Sequence, residues 1–134
     1  MNKRFVISAA VVIVILIATG YLVHGILLAR DYARLPNLYR SQEEQTKYLP
    51  VILAAQVSAG VALVWLYRRA KNSRPTILDG VQFGLGVAAL MVVPKFLIYY
   101  AIQPLPGTIV VKQIVFDTII VTLLGIVVAY LNRE

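Results

Sequence analysis

Four long apolar segments, at residues 5–29, 48–67, 77–102 and 108–131, leave this chain few ways to fold. Each is long enough to cross a hydrocarbon core, which takes about 20 helical residues. Lipid offers no water to an open backbone, so such segments must be helical, even where a run such as VVIVILI at 11–17 carries strand propensity. Composition agrees. Of 134 residues, 60% are hydrophobic and 14% charged, whereas soluble domains run near a quarter charged. The expected fold is an all-α membrane protein, one domain of four transmembrane helices in an antiparallel bundle. A polar outer loop or short helix joins the first two spans.

Lys3 and Arg4, an apolar run and Ala18-Thr19-Gly20 resemble a secretory signal. The apolar stretch continues through YLVHGILLA, however, and so reads as an uncleaved first span. Basic residues set the expected orientation. Lys3, Arg4, Arg68, Arg69, Lys71, Arg74 and Arg133 flank one side, whereas Arg30, Arg34, Arg40 and Lys47 on the other are diluted by Asp31, Glu43 and Glu44. The positive-inside rule puts both termini in the cytoplasm. The net charge of +7 is then a topology signal, with no nucleic acid required. Trp65, Tyr67 and Tyr130 suit the inner interface, and Tyr32, Tyr39, Tyr48, Tyr99 and Tyr100 the outer one.

With no cysteine and one histidine, the chain carries no disulfide framework, thiolate metal site or multi-histidine site. It also has no phosphate-cradling glycine loop, paired carboxylates or catalytic triad spacing. The expectation is a protein without enzymatic activity, metal or cofactor.

The connections differ. In residues 29–48, Ser41 and Glu44 fit a capping box. Either the second helix starts near Gln42 and bends at Pro50, or a separate surface helix ends before Tyr48 and Pro50 opens the span. QPLPGT at 103–108 is a short outer turn, and AKNSRPT is the inner one. Pro94 removes the usual partner of the Leu90 carbonyl within the third span.

Polar residues inside the spans raise the functional question. Counted from the outer turn, Lys112 lies about 6 to 8 Å deep, Lys95 about 10 to 12 Å and Asp117 about 14 to 15 Å. Lys112 can snorkel to the interface, but Asp117 cannot. Reflecting the last two spans about residue 105 sets Lys95 opposite residue 115 and suggests a Lys95–Asp117 ion pair, with Gln113 one turn away on the same face. Gly80, Gly84 and Ala88 recur every four residues, and Lys95 and Tyr99 continue that face inward. Gly20 lies one turn from His24, Gly60 one turn from Gln56, and Gly125 marks the fourth span as a packing helix. His24, Gln56, Lys95, Tyr99, Gln113 and Asp117 all fall in the outer half to middle of their spans. They form either an interhelical hydrogen-bond set or a ligand or proton site.

HGILLARDYARL (24–35) and LDGVQFGLGVAALMVVPKFLIYYAIQPLPG (78–107) resemble a group of small bacterial four-span membrane proteins that have no assigned activity. The resemblance implies a bacterial inner-membrane location and brings no catalytic residues. Two function classes follow. The first is an accessory or assembly subunit, packed in the bilayer against itself or a larger membrane complex. The alternative is a small transporter or ligand-binding protein using the polar cluster.

Overall fold

The computed structural model describes residues 2–71 and 75–133, which leaves Asn72, Ser73 and Arg74 of the AKNSRPT connection outside the described residues. Every regular element among the described residues is helical, and four helical stretches are long and apolar enough to cross a membrane: Lys3–Leu27, Leu49–Ala70, Ile77–Ile102 and Gly107–Leu131. Large apolar side chains such as Val14, Leu90 and Ile102 lie exposed on the outer surface, as lipid contact requires.

Helix α1, Lys3–Gly20, starts where the Asn2 side chain accepts a hydrogen bond from the Arg4 amide. It continues as a π-helical segment, Tyr21–Leu27, in which the Leu28 N–H reaches back to the Val23 carbonyl. A short α2, Ala29–Ala33, then leads to α3, Gln42–Lys47, where Ser41 caps the Glu44 amide. Tyr48 breaks the chain, and α4, Leu49–Ala70, begins anew with Pro50 in its first turn. That settles the two readings of Pro50 in favour of a separate surface helix, because the first turn has no intrahelical acceptor for the N–H that proline lacks.

The third span is likewise two helices, α5 (Ile77–Met91) and α6 (Val93–Ile102), which meet at Val92 ahead of Pro94. Thr76 and Asp79 close a full capping box at the start of α5. The last helix, α7, runs from Gly107 to Leu131.

Close packing of α5 on α7 sets the register. A Cβ on Gly84 would sit 2.6 Å from the Thr122 Cα, and one on Gly80 would sit 2.8 Å from the Gly125 carbonyl oxygen, so only glycine permits this approach. Gly125 returns the contact onto the Gly80 and Gly84 backbones. Gly60 similarly lies against Ile13 of α1. Two apolar cores result. One joins α1, α4 and α7 through Val12, Val64 and Val128, and the other joins α5, α6 and α7 through Ala88, Phe96 and Val110, with Leu35, Leu38 and Tyr39 of the first connection packed on it.

Candidate functional site

The π turn carries His24. Such a turn holds one more residue per hydrogen-bonded ring than an α turn, and these insertions recur at functional sites because they re-aim side chains. Here the imidazole faces α7, with Nε2 lying 3.1 and 3.3 Å from the two Asp117 carboxylate oxygens. The chain then folds back through α2, so that the Tyr32 hydroxyl lies 2.6 Å from His24 Nδ1 with the two rings nearly parallel.

α7 holds this fold-back at three levels. Lys112 pairs with Asp31 at 3.1 Å. Gln113 Nε2 donates to the Tyr32 hydroxyl at 3.1 Å and to the Tyr39 hydroxyl at 3.4 Å. One turn further along, Asp117 takes His24. The Tyr39 ring closes the group, its centroid 4.3 Å from that of Tyr32.

Donor and acceptor chemistry assigns the directions. A carboxylate only accepts, so Nε2 carries the proton. In the neutral imidazole Nδ1 is then an acceptor, and it takes the Tyr32 O–H. The Tyr32 oxygen in turn accepts from Gln113. Burial pushes the Tyr32 phenol up to about 12, with the Gln113 hydrogen bond pulling the other way and Tyr39, Asp117 and Asp31 adding to the rise, so Tyr32 stays a donor at neutral pH. Gln113 is buried, and its Oε1 has no hydrogen-bond partner among the described residues. A second proton on His24 would make Nδ1 a donor and force the Tyr32 proton elsewhere. A turned-over Gln113 amide supplies the acceptor for it. The network therefore has two internally consistent polarities.

The group is not sealed. The Asp117 side chain is 17% exposed and His24 35%. Both line an open cleft of about 620 Å³, walled by Tyr48, by Ile52 of α4 and by Lys95, Phe96 and Tyr99 of α6, with Gln113 and Asp117 on its α7 side. A second cleft, of about 610 Å³, lies against the first connection and shares His24, Tyr32 and Tyr39.

The structure thus brings together His24, Gln113 and Asp117, and sets Lys95 and Tyr99 in the same cleft without hydrogen bonds to them. The expected Lys95–Asp117 pair does not form. Gly80 against Gly125 and Gly84 against Thr122 reflect the last two spans about residue 103 instead of 105. Lys95 is therefore level with residue 111, about 9 Å outward from Asp117. Its ammonium lies 4.5 Å from the Phe96 ring centroid. Gln56 also stands apart, its amide beside Gly20, where a Cβ would come within 3.2 Å of Nε2.

Sequence reasoning assigned Tyr32 and Tyr39 to an interfacial belt and missed their place in the site. The available signal was Asp31-Tyr32 immediately after a histidine-bearing span end, in a connection too polar for lipid and long enough to fold back. The π turn has no comparable signature.

No family model, curated protein or solved structure matches this chain, so the functional reading rests on its own geometry.

Proposed function

We propose that this chain is a small ligand-binding or transport protein of the membrane whose outer-half site moves a proton within the His24–Asp117 pair. The observation that carries this reading is the pair itself. It lies within membrane-spanning helices, is extended through Tyr32 to an amide with an unused acceptor, and borders an open cleft. A purely structural network inside a membrane has no use for an orphaned acceptor beside an opening. Binding, rather than covalent catalysis, is the role we assign to it.

In this proposal the spans form an antiparallel bundle in a bacterial inner membrane with both termini cytoplasmic. The clustering of Arg4, Arg68, Lys71 and Arg133 around the end of α7 supports that orientation. The cleft then faces outward. The chain has no cysteine, so single introduced cysteines test this directly. A membrane-impermeant maleimide added outside intact cells should label Tyr99→Cys and Gln103→Cys in the cleft and spare Leu90→Cys on the lipid-facing surface. If neither cleft position is labelled, the network is closed to the outside and the binding role fails.

The accessory-subunit reading remains as a second proposal, favoured by one observation. On the outward face of α5, Gln82 is exposed one turn from Gly86, whose missing Cβ faces open space. Crosslinking from Gln82→Cys to itself or to a larger complex supports that reading.

A further inference from the structure

Ile52 of α4 and Lys95, Phe96 and Tyr99 of α6 line the cleft together with Tyr39, Arg40 and Tyr48 of the first connection, and the two helices pack chiefly on others, α4 on α1 and α6 on α7 and α5. The cleft is therefore bordered by two membrane-spanning elements and by the polar connection that precedes α4. Its walls are mixed in kind. Ile52 and the rings of Tyr48 and Tyr99 supply exposed apolar surface, and Lys95 supplies a cation inside the third span. Lys95 is exposed and makes no ion pair among the described residues, and the Asp117 carboxylate in the same cleft is taken by His24. An ammonium at that depth needs water or an anion. At the same opening Arg40 stacks on Tyr48 at 4.1 Å and also holds the Glu44 carboxylate at 3.8 Å, whereas Lys95 has the Phe96 ring at 4.5 Å and no anion among the described residues.

We infer that the cleft bordered by α4 and α6 holds an acidic phospholipid, with the lipid phosphate on the Lys95 ammonium and an acyl chain along Ile52 and the Tyr99 ring. One cation without an anionic partner beside an apolar gap fits an amphiphile with a net negative head. A soluble anion would leave the apolar walls unused, and a zwitterionic lipid would bring its own cation into competition with Lys95 for its phosphate. This inference rests on the cleft being a ligand site, and it names the class of molecule that enters.

Native mass spectrometry of the full chain, titrated with phosphatidylglycerol or phosphatidylcholine in a mild detergent, tests it. Phosphatidylglycerol should be retained about fivefold better, the preference expected from one basic residue near the membrane surface. Lys95→Ala should bring the two lipids to parity, and Lys95→Arg should keep the preference. Lys112→Ala should also keep it, because that ammonium is committed to Asp31. Lys95→Gln repeats the reading should the alanine variant fail to fold. An unchanged preference in both the alanine and glutamine variants overturns the inference. So does displacement of phosphatidylglycerol by millimolar inorganic phosphate, which would mark a site for soluble anions. The maleimide experiment reads access from outside and does not depend on Lys95, so failure of the lipid arm and failure of the proposed function are distinguishable.

Discussion

The two polar ends of this molecule solve the same problem in opposite ways. At the end of α7, Asn132 and Ser8 are fully buried and hydrogen-bonded to each other. The Asn132 amide donates to Ser8 Oγ and to the Val128 carbonyl, and its Oδ1 accepts from Arg68. Lys71 and Arg4 cap the Asn132 and Arg133 carbonyls, where cations also suit the helix dipole. This knot ties α1, α4 and α7 together, and the nearby buried Tyr67 hydroxyl is the group at this end without a hydrogen-bond partner among the described residues. At the other end, His24, Tyr32, Gln113 and Asp117 form a chain of comparable length that keeps an unused buried acceptor and an opening. Complete satisfaction specifies a structure, whereas incomplete satisfaction beside a cleft leaves room for a proton or a ligand.

If that contrast is right, the knot should matter more to stability than the site does. Asn132→Leu strands the Ser8 hydroxyl and the Arg68 guanidinium, and should cost about 2 to 4 kcal/mol of unfolding free energy in mixed micelles. An effect below that of any substitution in the site would break the comparison.

The site should show a narrower, pairwise effect. A double-mutant cycle on His24→Ala and Asp117→Ala should give a coupling of about 1 kcal/mol or more, while Lys95→Ala and Asp117→Ala should add within about 0.5 kcal/mol. Coupling at Lys95 in place of His24 would restore the pairing that the helix register argues against. Tyr32→Phe removes the hydrogen bonds to His24 and from Gln113 and should cost about 1 to 2 kcal/mol, and it should leave the knot unaffected.

The smallest effect concerns alkali. The folded chain holds Tyr32 neutral up to about pH 12, above the usual value of 10.0, so its stabilising contribution is complete below pH 10.0 and is lost as the pH rises through about 12. Phenolate absorbance should show a late-ionising component that shrinks by one tyrosine in Tyr32→Phe. Ionisation of the whole tyrosine set in one step would remove the basis for a buried Tyr32 donor.

The spans were legible in the sequence because length and apolarity alone dictate them, and the glycines of α5 because close helix contact demands small residues every fourth position. The convergence of His24, Gln113 and Asp117 on one region followed from their depth. Pairing was not legible. The glycine contacts of α5 on α7 set a register centred near residue 103, and that displaces Lys95 from Asp117 by more than a helical turn. Nor could the pattern of residues reveal the π turn or the fold-back of α2, since both depend on contacts between α7 and a connection whose polar composition alone reads as solvated loop.

The chain's single histidine makes the central claim measurable without ambiguity. In ¹⁵N-histidine-labelled protein in bilayers at neutral pH, the ring nitrogens should report a proton on Nε2 and a hydrogen-bonded, unprotonated Nδ1. Asp117→Asn should perturb the first signal and Tyr32→Phe the second. A proton on Nδ1 with a bare Nε2, or ring signals indifferent to both substitutions, would contradict the account.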